Sequence, residues 1–87
     1  MNLSSKTLAD NVRRLRRGAG LSQRELADIA SVSLYAVRKV EGGDYEGSIA
    51  PLWEIAHILG VKTLDLFDPV WSLRHAQPTY YEEKEDG

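Results

Sequence analysis

Cysteine is absent from the 87 residues, so neither a disulfide framework nor a thiolate metal site is available. Histidine is nearly absent too. Glu54 and His57 share a helical face at i, i+3, but no third ligand lies within sequence reach, so no metal and no cofactor are expected. No apolar run approaches the ~20 residues of a membrane span. The stretch Met1-Asn2-Leu3-Ser4-Ser5 lacks the charged and apolar regions of a secretion signal, and the expected location is the cytoplasm. There is no glycine-rich phosphate loop and no nucleophile motif, so an enzyme is not expected. Period-two alternation is missing as well, which leaves an all-α fold. The seven aromatics are scattered, and Trp53 and Phe67 are expected in the core, not on a stacking platform for single strands.

What the chain does have is a lopsided charge. The net charge is −2, with basic and acidic residues at opposite ends. Residues 1–17 hold five basic side chains (Lys6, Arg13, Arg14, Arg16, Arg17) against Asp10 alone, a net of +4. Residues 79–87 hold four acidic side chains (Glu82, Glu83, Glu85, Asp86) against Lys84 alone, a net of −3. The distribution says more about polyanion binding than the sum does.

Helix signals follow one another closely. Leu8, Val12 and Leu15 make one apolar stripe on a first helix from about Ser5 to Arg17, ended by Gly18-Ala19-Gly20. Ser22 and Glu25 form a capping box before a short second helix. Ser33 is the expected cap of a third helix, Leu34 to Glu41, with Val37 and Val40 facing inward. Ser48 is the expected cap of a fourth, Ile49 to Leu59, which holds Ile49, Leu52, Trp53, Ile55 and Leu59 and should be the most buried. Thr63 and Asp65 open a fifth, closed by Pro69. Five short helices with tight connections predict one domain over residues 1–68 and an extension over 69–87, apolar at 70–73 and acidic at 79–87.

Two short helices joined by a turn of about three residues make a helix-turn-helix by spacing alone. Such a unit places its second helix in the major groove of DNA. Ala27 sits where the two helices must approach closely, and Val32 and Val37 are expected to lock the pair from inside.

The pattern is longer than that unit. Leu21-Ser22-Gln23-x-x-Leu26-Ala27, then Val32-Ser33-x-x-x-Val37-x-x-Val40-Glu41-x-Gly43, resembles the signature of the Cro/Xre-like helix-turn-helix regulators of phages and bacteria. Ser48-Ile49-x-x-Leu52-x-x-Ile55-Ala56-x-x-Leu59-Gly60-Val61 and Leu66-Phe67 resemble that family's fourth and fifth helices. The resemblance covers roughly residues 6–68. It implies a phosphate contact and a brace on the reading helix for Gln23, base-edge positions for Leu34, Tyr35 and Lys39, and places beside the DNA backbone for Ser33 and Ala36. It implies a partly buried ion pair between Arg16 and Glu41.

Beside these stand readings from the residues themselves. Leu34 either touches a thymine methyl or packs beneath its own helix. Lys39 suits guanine O6/N7 or a phosphate. Arg38 points to the outer edge and a phosphate, and Arg13, Arg14 and Arg17 make a phosphate-facing flank.

Three positions depart from the pattern. Ser31 stands at a turn position commonly held by glycine. Gly42 replaces a longer polar residue, and Asp44 and Glu46 occupy a loop that relatives make basic.

The resemblance implies a regulator, most simply a repressor, that binds a palindromic double-stranded operator as a homodimer. Val70, Trp71 and Leu73 either cover the core of their own subunit or, the favoured expectation, form a two-fold dimer contact together with Leu66 of the fifth helix. Two alternatives remain at this stage. One is the antitoxin of a toxin–antitoxin pair, binding a partner protein through the C-terminal extension. The other is an interaction module that has lost DNA binding.

Overall fold

The computed structural model describes residues 5–70. Trp71, Leu73 and the acidic stretch 79–87 lie outside the described residues. The elements are α1 (Ser5–Gly18), α2 (Gln23–Ala30), α3 (Leu34–Glu41), α4 (Ala50–Leu59) and a closing 3-10 helix, Thr63–Phe67. The fold is all-α, as the sequence predicts. The fifth element is a 3-10 turn and not an α-helix, because only a short stretch separates the left-handed Gly60 from Pro69. Its bonds are the tighter i→i+3 kind: Asp65 N donates to Lys62 O at 2.9 Å and Asp68 N to Asp65 O at 3.1 Å.

The helix starts are set by local chemistry. At α2 the capping box is complete: Glu25 N donates to Ser22 Oγ at 3.0 Å, and Ser22 N donates to Glu25 Oε1 at 2.8 Å. At α3, Ala36 N donates to Ser33 Oγ at 2.9 Å. At α4 the sequence expectation fails. Ile49, in helical geometry at φ −76°, is the capping residue, and no side chain caps the helix. Pro51 in the first turn supplies a preset φ and removes one orphan N–H, so a hydroxyl cap has less to satisfy.

The α1 stripe meets α3 and the 3-10 helix, while α4 packs on α2 and the 3-10 helix. Between them lies one core of Leu8, Val12, Leu15, Leu26, Val37, Val40, Leu52, Ile55, Leu59 and Leu66, with Ala27 letting α2 approach. Fully burying a side chain of this size is worth ~1.5–3 kcal/mol. One buried polar group ties the core shut. Asn11 Nδ2 donates to Leu66 O and to Asp68 O, both at 2.8 Å, which fastens the end of the 3-10 helix to α1.

Three burial expectations are corrected. Trp53 is 56% exposed and Ile49 61% exposed. They belong with His57 on the outer face of α4, at i, i+4, i+8, because Leu52, Ile55, Ala56 and Leu59 already fill its inner face. His57 is exposed, and its ring stacks on the Trp53 ring with centroids 5.6 Å apart. Leu66, expected at a dimer contact, is wholly buried within the chain and has no surface to offer a partner. Val70 is exposed.

Ser31 adopts φ 58° and ψ 40°, alone among the described non-glycine residues in having a positive φ. The left-handed turn lets Val32 N reach Ala27 O at 3.0 Å, so the helix closes and Val32 turns inward. A Cβ in this region costs ~1–2 kcal/mol. Ser31→Gly should therefore raise unfolding stability by about 0.5–1 kcal/mol, part of the relief being lost to the freer unfolded chain. Chemical denaturation reads this as a higher midpoint with an unchanged slope.

Candidate nucleic-acid interface

The turn Ser31-Val32-Ser33 joins α2 to α3 and presents one face of α3 outward. Val37 and Val40 are buried and hold that helix from beneath. On its outer face Tyr35 is 70% exposed, Arg38 is exposed, and Lys39 is half-buried with its Nζ 5.6 Å from the Tyr35 ring centroid. That cation–π contact holds the ammonium and the phenol as one unit. Ser33 is exposed and Ala36 half-buried on the same edge. Of the two readings of Leu34, the structure favours packing: the side chain is partly buried against the core.

A shallow groove runs beside this edge, lined by Tyr35, Ala36, Lys39, Asp44, Tyr45, Glu46 and Gly47. Tyr45 organises its far wall by donating its hydroxyl to Ser48 O at 2.6 Å. Its ring lies so close to Gly47 that a Cβ there would meet the phenol oxygen at 2.5 Å. The exposed carboxylates of Asp44 and Glu46 stand on this loop, so one rim of the groove is acidic.

The inner end of α3 is held electrostatically. Glu41 is 5% exposed and Arg16 8%. Arg16 Nε meets Glu41 Oε2 at 2.5 Å, and its NH2 meets Oε1 at 2.9 Å, a two-pronged pair between α1 and α3. The third guanidinium nitrogen donates to Leu21 O at 2.8 Å. Gln23 Nε2 donates to the same Oε1 at 3.1 Å. The ion pair and the bracing glutamine that the family resemblance implies are thus one network around one carboxylate.

The arginine run divides. Arg16 is consumed inside. Arg14 and Arg17 are exposed, and Arg13 is half-buried. Arg13 NH1 donates to Glu41 O and NH2 to Asp10 Oδ1, each at 2.8 Å. Asp10 also accepts from Lys6 Nζ at 3.1 Å. The Lys6 hydrogen bond is the first cause, and the charges of Lys6, Arg13 and Arg14 add to it; together they hold the Asp10 carboxyl below its ordinary 3.8. A depressed carboxyl contributes above its ordinary value and is lost only as pH falls through the lower folded one, so these contacts are intact at neutral pH. Asp10 and Asn11 leave only weak marks in the sequence. These are the i, i+3 spacing of Asp10 and Arg13, and a polar residue inside the Leu8–Val12–Leu15 stripe.

Among the described residues no group of three His, Cys, Asp or Glu side chains could hold a metal ion. No helix there is long and apolar enough to cross a membrane.

Comparison with known proteins agrees with this geometry. A helix-turn-helix family model matches residues 12–66. A hypothetical transcription factor from Neisseria superposes with a TM-score of 0.73 at 28% identity, over 87% of this chain and 86% of its own. The clp gene regulator ClgR of Corynebacterium glutamicum gives 0.66 at 28% identity, over 83% of this chain and 80% of its own. The restriction-modification controller protein C.AhdI of Aeromonas hydrophila gives 0.66 at 28% identity, over 72% of this chain and 96% of its own. No curated protein sequence matches the chain.

Proposed function

Because the chain belongs to the Cro/Xre-like helix-turn-helix family of DNA-binding transcriptional regulators, we propose that it is a sequence-specific repressor that inserts α3 into the major groove of a palindromic operator as a homodimer. The observation that carries this reading is the split of α3. Its inner face is locked by Val37, Val40 and the Glu41 network, while its outer face offers Tyr35, Arg38 and Lys39 as one row. A helix held this firmly delivers its side chains at a fixed depth and angle.

The roles follow from position. Lys39 and Tyr35 read base edges, the first by donating to guanine, the second by touching a thymine methyl. Arg38, Ser33 and the second amide hydrogen of Gln23 meet phosphates. Arg17 extends the phosphate track onto α1. The acidic rim at Asp44 and Glu46 keeps the opposite edge of the groove off the backbone, so one subunit binds modestly. Two subunits on half-sites about one helical turn (~34 Å) apart supply the rest. The reading involves no catalytic step and no cofactor.

The face that joins the subunits is the outer stripe of α4. Ile49, Trp53 and His57 leave apolar surface exposed there, and α4 carries one acidic residue, Glu54, so copies meeting about a two-fold axis face little charge repulsion. Trp53→Glu should give a folded monomer in sedimentation equilibrium and weaken operator binding at least about a hundredfold, from the loss of the second half-site. A variant that remains dimeric would put the interface elsewhere, with Val70 and the extension as the next candidate.

In vitro selection of duplexes from a random pool tests the function as a whole. An enriched inverted repeat is the expected outcome. Enrichment of a single unrepeated site would remove the dimer from the reading, and enrichment of nothing would remove DNA recognition.

A further inference from the structure

The geometry points to Arg13, with Asp10 behind it, as a positioning residue that clamps the C-terminal end of the reading helix and makes no phosphate contact. This rests on the DNA-binding reading above. The last turn of a helix leaves carbonyls without internal partners, and it is the negative end of the helix dipole. The Glu41 carbonyl is one of these. Arg13 NH1 donates to it at 2.8 Å, while NH2 is engaged by Asp10 at 2.8 Å. Asp10 is tethered in turn by Lys6 at 3.1 Å.

Glu41 is therefore held twice from α1, by its side chain through Arg16 and by its main chain through Arg13, one turn apart. The second hold matters because the chain turns away immediately afterwards. Gly42 and Gly43 follow, and Gly43 sits at φ +80°. Backbone N–H groups of Gly42, Asp44 and Gly43 close the carbonyls of Arg38, Lys39 and Val40 at 2.9, 3.0 and 3.2 Å, which leaves the Glu41 carbonyl to Arg13 at the turn that carries Arg38 and Lys39. Those backbone bonds are local to α3, and the Arg13 fork adds the tie that fixes this end against α1. Asp10 sets the rotamer of Arg13, so the guanidinium is in place before DNA arrives. A phosphate reaching for Arg13 would have to displace a carboxylate that faces it at contact distance.

Salt dependence separates a clamp from a phosphate contact. Each phosphate neutralised contributes about 0.9 to the slope of log Kobs against log salt, whether or not the sequence is the right one. A clamp contributes nothing to that slope and acts on sequence discrimination instead. The measurement is fluorescence anisotropy of full-length Arg13→Gln, Arg13→Lys and Asp10→Asn on the selected duplex and on a scrambled one, across a salt series, with folding checked by circular dichroism.

The expected result for Arg13→Gln is an unchanged slope and a specific-to-scrambled ratio lowered about tenfold, the scale of one charge-assisted hydrogen bond. Arg13→Lys should resemble Arg13→Gln, because an ammonium lacks the planar fork that spans Asp10 and the Glu41 carbonyl. Asp10→Asn should act in the same direction, and combined with Arg13→Lys it should add little. Arg17→Gln is the reference for a phosphate contact, expected to lower the slope by about 0.9.

A slope lowered by that amount in Arg13→Gln, with Arg13→Lys restoring it, would overturn the clamp. Amide hydrogen exchange of the free protein tests it without DNA. The Val40–Asp44 amides should exchange faster in Arg13→Lys and Asp10→Asn than in the wild type, and equal rates would also overturn it. Failure of the wild type to select any duplex would count against the proposed function alone, since the exchange result stands by itself. Should Arg13→Gln fail to fold, Arg13→Lys and Asp10→Asn carry both measurements.

Discussion

Glu41→Ala is expected to lower unfolding stability by about 3–5 kcal/mol. The substitution strips a buried guanidinium of its counter-charge. Arg16 keeps only the Leu21 carbonyl, and Gln23 loses its acceptor. A domain of this size has only about 5–10 kcal/mol in total, so the variant should be partly unfolded near physiological temperature. The pair is not thereby a large net stabiliser, because desolvating both ions offsets much of their attraction. Replacing both partners with apolar residues of similar volume, as in Arg16→Met with Glu41→Leu, should recover most of the loss. Urea titration of the two single variants and the double variant reads the coupling directly. A single-variant cost below about 1 kcal/mol would mean that water reaches Arg16 and that the network contributes little.

The second large effect concerns recognition. Charge reversal of the pair, Arg38→Glu with Lys39→Glu, should reduce operator binding about a thousandfold or more at low salt while leaving the fold intact. Arg38 is exposed and Lys39 half-buried on the surface, so no core packing is lost, and two carboxylates at the negative end of α3 should cost only about 1–2 kcal/mol of stability. On DNA the two substitutions remove favourable contacts worth about 1–3 kcal/mol for a good base pairing and set carboxylates against phosphates. Anisotropy titration checks it. Unchanged affinity would show that α3 is not the element that meets DNA.

The sequence made most of the frame legible because the frame depends on short-range rules. Ser22 with Glu25 and Ser33 with the start of α3 are caps that need only the next turn to work. The stripe Leu8, Val12, Leu15 repeats at helical spacing and is buried as that spacing requires.

What stayed hidden depended on partners far along the chain. Asn11 looks like a break in the apolar stripe, yet its acceptors lie more than fifty positions away at Leu66 and Asp68. Arg13 looks like one more member of a basic run until the Glu41 carbonyl is placed beside it. Trp53 was expected inside because of its residue type, and α4 had already filled its inner face with smaller side chains. At Ser48 the hydroxyl invited a cap, and the proline two positions into the following helix removed the need for it.

The residues that hold α3 and those that face outward from it form two sets with no member in common. Val37, Val40 and Glu41 hold the helix; Tyr35, Arg38 and Lys39 stand on its free edge. On the proposed reading, a change at position 35, 38 or 39 would alter what is recognised and spare what folds. New target preferences would then be within reach of single substitutions, each viable on the way, and a duplicated copy of this chain could diverge from its parent without passing through an unfolded ancestor.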